Sequence, residues 1–358
     1  MSARDLAAAA PPRIGLLDSG PLDAITDVAG VTVGHATLAD GPVQTGVTVI
    51  HPHALDPYRH KVPAGAAVIN GFGKSVGLVQ LEELGQLETP VALTNTFSVP
   101  AVAQAQIRDC VRANPETGRA LPTVNPLVLE CNDGFLNDIQ RMAVGDEHYR
   151  AACEGAGAQV PQGAVGAGRG MSSFQLKGGI GTASRRVPLA GGHRTVGALV
   201  LANYGLLPNF VWGSAPIGAS LAAAMAAEAD TEARAAAAGP EKGSIIMVLA
   251  TDAPLDARQL ARLARRAAAG LARTGSVYGH GSGDIAIAFS TAYTLPHLPE
   301  EAMPAVPMVH ESLLDGLFQA AADSVEQAIL HALWHAETVT GRDGHRRHAL
   351  RDLLARAC

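Results

Sequence analysis

The chain has 358 residues, 47% of them hydrophobic and 17% charged, with 39 glycines and 4% aromatics, so it can bury a large core in one big domain or two moderate ones, with many turns. A formal net charge of -6 argues against a basic nucleic-acid surface, and no stretch is long and apolar enough to span a bilayer. The four cysteines have neither CxxC spacing nor scaffold density, and residues 1–12 lack an apolar signal core, so a reduced, cytoplasmic setting is expected.

Residues 1–24 read as an irregular arm broken by Pro11, Pro12, Gly15, Gly20 and Pro21. Ile25–His35 mixes β-branched residues with glycines and predicts a strand with a turn at Ala29-Gly30, and Gly46–His51 alternates as a second strand. Ala66–Asn70 is a short strand, Ser75–Leu87 a helix and Val91–Asn95 a strand. Ser98 caps a helix that has Pro100 in its first turn and runs to Val111. Val124–Cys131 is an apolar strand, followed by helical signals at Asp138–Met142 and Glu147–Val160. Residues 161–193 are dense in glycine and carry no assigned element. Val196–Asn203 is a strand, and Ala215–Ala238 a helix passing into an alanine-rich connector. Ser244–Thr251 is an apolar strand. Asp256 caps a helix with Leu260, Leu263, Ala264, Ala267 and Leu271 inward and four arginines outward. Asp284–Thr291 is a strand, and Ser312–Thr340 a long helix or a broken pair. The order is not a regular βαβ alternation. It predicts an α/β (α+β) chain with sheets stacked between helical layers.

Gly243-Ser244 is a junction with two readings. One is an ordinary strand-opening serine after a loop glycine. In the other, cleavage of that bond makes Ser244 a chain terminus, its hydroxyl on the same residue as an α-amine. Such an amine ordinarily has a pKa near ~8, close enough to neutrality to serve as a general base.

Other motifs divide in the same way. Gly71–Gly77 is GxGxxxG, a weak match to a dinucleotide loop, and Gly163–Gly170 lacks the Lys-Ser/Thr of a P-loop. His51 and His53, and His331 and His335, are pairs without a third metal ligand and read as solvated or core histidines. Arg342–Arg351 reads as a solvated basic tail. Glu130–Asp138 is either a turn with a cap or a set of carboxylates and amides gathered at a strand end. Lys177, beside three glycines, could hold an amide oxygen or a carboxylate, or be an exposed turn charge. Asn203 ends a strand, where its amide could stabilise an oxyanion, a contribution of ~3 kcal/mol, or make a local turn bond. Ser282 and Asp284 alternate at a strand entry and could orient an ammonium group.

Taken together these stretches resemble the DmpA-type aminopeptidases of peptidase family S58: D-/L-aminopeptidase-esterases, β-peptidyl aminopeptidases and nylon-oligomer hydrolases. The resemblance starts at Gly20–Val31 with Val33-Gly34-His35. It continues through Asn70–Lys74, Glu130–Asp138, Phe174–Arg185, Ala202–Gly205, Gly243–Leu255 and Gly281–Thr291. It implies a four-layer αββα sandwich like that of N-terminal-nucleophile hydrolases. It implies one catalytic domain, residues 1–358, cut before Ser244 into 1–243 and 244–358, and a homo-oligomer of such heterodimers, a tetramer favoured. Ser244 matches the nucleophile, Asn203 the oxyanion donor, and Ser282 with Asp284 the amine-orienting pair. Glu130 matches an acidic site residue of the β-aminopeptidases, and Lys177 a site lysine of the nylon-type enzymes. Asn132 stands where the D-/L-aminopeptidase type has a site tyrosine, and with Phe135 is expected on the substrate side. The implied activity is hydrolysis of N-terminal amino-acid amides, esters or short peptides through an acyl-enzyme on Ser244, with neither metal nor organic cofactor, and without nucleic-acid or membrane partners. A nylon-oligomer amidase, an acyltransferase and an uncleaved scaffold are the alternatives.

Overall fold

Two sheets lie face to face with helices on both outer faces, and the alternation of each strand shows why. The computed structural model describes residues 10–189, 191–228, 242–299 and 302–356. The strands are β1 (Thr32–Asp40), β2 (Val43–His51), β3 (His60–Gly71), β4 (Val91–Asn95), β5 (Leu127–Cys131), β6 (Gly179–Leu189), β7 (Gly192–Asn203), β8 (Lys242–Thr251) and β9 (Gly281–Ser290). The helices are α1 (Leu78–Leu84), α2 (Val99–Ala113), α3 (Asp146–Glu154), α4 (Gly218–Glu228), α5 (Ala257–Arg273), α6 (Asp315–Trp334) and α7 (Leu350–Arg356). One sheet has the order β1-β2-β4-β5, the other β3-β9-β8-β7-β6, with the two-residue strands Gln86–Leu87 and Leu295–Pro296 pairing onto β3. In the second sheet β8 and β9 are parallel, and the other neighbours along that order are antiparallel.

Three cores separate the four layers. On β8, Ile246 and Val248 join Leu199, Leu201, Leu93 and Leu129 between the sheets. Their neighbours Met247 and Leu249 point the other way, onto Leu260, Leu263 and Leu271 of α5 and Val325 and Ile329 of α6. Val47, Val49 and Val128 of the first sheet pack outward on Val99, Val102, Tyr149 and Ala152 of α2 and α3. A period of two thus feeds two cores from each central strand, and an αββα sandwich is the result.

Several elements differ from expectation for local reasons. Asp27 accepts the Leu22 and Ala24 N–H groups at 2.9 and 3.0 Å and coils Ile25–Asp27 into a 3-10 turn, so β1 begins only at Thr32. Gly77 and Gly85, at φ +93° and +65°, bracket α1 and cut it to seven residues. Asp138–Met142 reduces to one 3-10 turn, Ile139–Arg141, and the helix expected over Glu147–Val160 is Asp146–Glu154, ending before Gly155. The glycine-dense stretch holds β6, whose Gly181 has no room for a side chain: a Cβ there would stand 1.9 Å from the Ala328 carbonyl oxygen. The glycine lets α6 lie directly on the sheet. The connector after Glu228, the first nine residues and Cys358 lie outside the described residues.

Candidate active site

The entry of β8 is the centre of the site. Ser244 lies opposite Asn203 of β7 and opposite Gly283 of β9. It is 6% exposed, and its hydroxyl accepts the Gly283 N–H at 3.2 Å, which leaves its own proton available for transfer. Two glycines make this possible. Gly243 sits at φ +142°, and a Cβ on it would be 2.1 Å from the Asn203 carbonyl oxygen. A Cβ on Gly283 would be 2.7 Å from the Phe72 carbonyl oxygen and 3.1 Å from Ser244 Oγ. The requirement at Gly283 had no signal in the sequence beyond a glycine turn.

Ser282 and Asp284 stand behind that entry, opposite Gly243 and Ile245. Both are fully buried, and the Ser282 hydroxyl donates to Asp284 Oδ1 at 2.5 Å. The pairing of β9 with β3 slips after Asp284, from Asp284 against Asn70 to Ile285 against Val68. Such a bulge re-aims side chains beside a site. The Asn70 amide donates to the Gly279 carbonyl at 2.9 Å and to the Ser282 carbonyl, holding the turn that precedes β9.

Asn203 is held from both sides. Its Oδ1 accepts the Ser172 N–H at 2.8 Å, and its Nδ2 donates to the Asn132 carbonyl at 3.0 Å. An amide nitrogen has two protons, so one N–H remains for the cavity that Asn203 lines. This cavity, about 440 Å³, is also lined by Ser244, Glu130, Asn132, Phe135 and Arg347. Glu130, at the end of β5, accepts the Lys74 N–H at 2.8 Å on one oxygen and the Thr96 hydroxyl on the other. The Asn132 side chain accepts the Gly134 N–H at 2.9 Å, a turn bond, while its backbone carbonyl steadies Asn203. Beside it, burial raises the Asp133 carboxyl to about 7.

Lys177 does not line the cavity. It is fully buried, and its ammonium donates to the carbonyls of Gly168, Met171 and Gly178 at 2.8, 2.9 and 2.8 Å. Burial pulls its pKa down, and three carbonyl acceptors are the full complement an ammonium can use. It ties together the loop behind Asn203. The expectation of a solvated tail at Arg342–Arg351 is overturned. Arg346–Arg347 pairs with Val339–Thr340, Leu350 is buried, and Arg347 reaches the cavity with its guanidinium carbon 3.7 Å from the Phe135 ring centroid. Its run of charges hid a return to the site.

The two histidine pairs lie elsewhere. His331 spends its ring nitrogens on the Thr182 carbonyl at 2.8 Å and Gln327 at 3.0 Å. His51 and His53 line a second cavity of about 470 Å³ with Cys110 and Cys153. Burial pushes both thiols up to about 11, so neither supplies an activated thiolate.

The grouping is suited to acyl transfer: a buried hydroxyl, an amide donor across the strand, and a serine–carboxylate pair behind. The family model for peptidase family S58 matches residues 23–347. A β-peptidyl aminopeptidase from Sphingosinicella xenopeptidilytica, BapA, is 39% identical over 354 residues, covering 94% of this chain and 87% of its own. The solved PH0078 protein of Pyrococcus horikoshii superposes with a TM-score of 0.89 at 45% identity, over 100% of this chain and 98% of that one. The L-aminopeptidase D-Ala-esterase/amidase of Ochrobactrum anthropi, described as a variant of the Ntn hydrolase fold, gives 0.88 at 35%, over 99% and 97%. The chain thus belongs to peptidase family S58 and is a hydrolase of peptide or amide bonds built on the Ntn-hydrolase fold.

Proposed function

We propose that the protein is a self-processing serine aminopeptidase that opens N-terminal amino-acid amides, esters and short peptides through an acyl-enzyme on Ser244. The observation that carries this is the Gly243-Ser244 junction. A glycine at φ +142°, with no space for a side chain, precedes a buried serine at the mouth of a cavity. Ser244 Oγ attacks the Gly243 carbonyl carbon, the Gly243–Ser244 C–N bond breaks, and the nitrogen becomes the Ser244 α-amine. Water then hydrolyses the ester left on Oγ. The absent side chain removes crowding at the attacked carbon, and glycine takes this backbone angle and close approach to Asn203 where a residue with a Cβ would clash.

In the processed enzyme the Ser244 amine takes the hydroxyl proton while Oγ attacks the substrate carbonyl. Asn203 donates its remaining N–H to the oxyanion. Ser282 and Asp284, on the strand beside the new terminus, orient the amine. Glu130, on the cavity wall, faces the substrate's own ammonium, and Asn132 and Phe135 line the space around it. Base and nucleophile come from one residue, so no step calls for a metal or an organic cofactor. The family resemblance supports a single catalytic domain that stays assembled after cleavage and a homo-oligomer, a tetramer, of processed heterodimers. Cysteine usage supports a cytoplasmic enzyme acting on small amides, and the charge balance argues against nucleic acid. No helix among the described residues is long and apolar enough to cross a membrane. Intact mass of the purified protein should show Met1–Gly243 and Ser244–Cys358, and Ser244→Ala should remain whole and inactive. A single uncut chain with full activity would sink the proposal.

A further inference from the structure

The charge on the cavity wall does not balance. Among the described residues Glu130 is the one carboxylate that lines it, against Lys74 and Arg347. Among the described residues neither cation has an acidic partner within salt-bridge distance. Each lies instead against an aromatic ring: Lys74 Nζ is 4.1 Å from the Phe72 centroid, and Arg347 Cζ is 3.7 Å from that of Phe135.

Arg347 is the better built of the two. The hairpin that carries it is bolted to the Phe135 loop. The Arg342 N–H donates to the Leu136 carbonyl at 2.7 Å, its guanidinium to the Gly134 carbonyl at 3.1 Å, and the His345 ring meets the Phe135 carbonyl at 2.8 Å. His345 also stacks on Phe135, with centroids 4.6 Å apart and planes 11° from parallel. Phe135 therefore packs against both an imidazole and a guanidinium. The Arg347 Nε–H donates to Ser172 Oγ at 3.2 Å, and the Ser172 N–H donates to Asn203 Oδ1, so the guanidinium is indexed to the amide opposite Ser244. One of five N–H donors is thereby used, and the remaining edge is a planar fork suited to a carboxylate. Burial alone pulls its pKa, to about 10, and it stays charged at neutrality.

Glu130 is held by Lys74 and Thr96, whereas Arg347 is held by Phe135 and Ser172, and no hydrogen bond joins the two groups among the described residues. We propose that Arg347 is a specificity residue that binds a carboxylate on the leaving half of the substrate, so that the preferred substrates are short peptides ending one residue beyond the cleaved bond. This rests on the aminopeptidase reading above, with the substrate ammonium at Glu130 and the carbonyl at Ser244. The chemistry recognised is a carboxylate, which can be the free C-terminus or an acidic side chain of the leaving residue.

The test compares processed enzyme on three matched substrates with one N-terminal residue: a dipeptide with a free C-terminus, its carboxamide, and a carboxamide whose second residue is glutamate. A charge-assisted bond predicts that the wild type favours the free dipeptide over its carboxamide by about tenfold or more in kcat/KM, expressed in KM. Arg347→Met should erase that ratio, and Arg347→Lys should keep part of it. Recovery of the preference by the glutamate carboxamide would assign the site to acidic side chains as well as the terminus. Cleavage into the two fragments reports that each variant has folded. Equal hydrolysis of dipeptide and carboxamide by the wild type overturns the Arg347 assignment and leaves the aminopeptidase reading intact. Hydrolysis of none of the three by processed protein overturns both.

Discussion

Ser244, Asn203 and Gly283 form the smallest unit of the site, and each depends on an atom that its neighbour supplies. Asn203 uses one amide proton on the Asn132 carbonyl and keeps one for the cavity. If that proton serves an oxyanion, Asn203→Ala should lower kcat of processed enzyme by roughly 10²–10³, with a smaller change in KM, in steady-state kinetics. Strand-end positions offered Ser244, Asn203, Ser282 and Asp284 only as polar groups with two readings each, and the resemblance to the family is what gave them roles. Gly243 stands out as half of a junction but not as a steric requirement, and Gly283 is silent, because a glycine whose Cβ would strike a carbonyl reads the same as one in an open turn. Lys177 and Arg347 exchange places for a related reason. One lysine beside three glycines and one arginine among charges give no clue to which is buried against carbonyls and which returns to the cavity.

At the scale of elements, legibility followed periodicity. The helix Ala257–Arg273 is complete in the sequence: Asp256 accepts the Gln259 N–H at 2.6 Å, and Gln259 answers the Asp256 N–H at 3.3 Å. Asp256→Ala should cost about 1 kcal/mol, read as a fall in the urea midpoint. Gly179–Leu189 was illegible, because a strand that lies under a helix at backbone distance must use glycine where a pattern of large residues would announce it. The bulge at Asp284/Ile285 was illegible too, since register is a property of two strands and one sequence shows only one at a time.

At the scale of the molecule, the site sits where both sheets and a loop converge, and one buried carboxyl there responds to pH. Asp133 is almost wholly buried, with one oxygen on Asn137 at 3.0 Å. Burial holds its proton up to about pH 7, whereas the unfolded chain releases it near 3.8. A raised carboxyl favours the fold while protonated, so its contribution is full in acid and is lost as the pH rises through about 7. The melting temperature of wild type minus that of Asp133→Asn should therefore fall between pH 4 and pH 7, by an amount reflecting several kcal/mol. A difference that rises over that range would contradict the burial of this carboxyl.

The central strand has one further consequence. β8 lies between β7, on the Asn203 side of the proposed cut, and β9, on its own side. A break at residue 243 opens the backbone but leaves β7 and β8 laced by their register from Val196 against Thr251 to Asn203 against Ser244. The two pieces would then be held as a single body, parted only by unzipping the middle of that sheet. Arg347 and Ser244 would travel on one piece, Glu130 and Asn203 on the other, so the severed chain is whole only as a pair and the cavity is the seam.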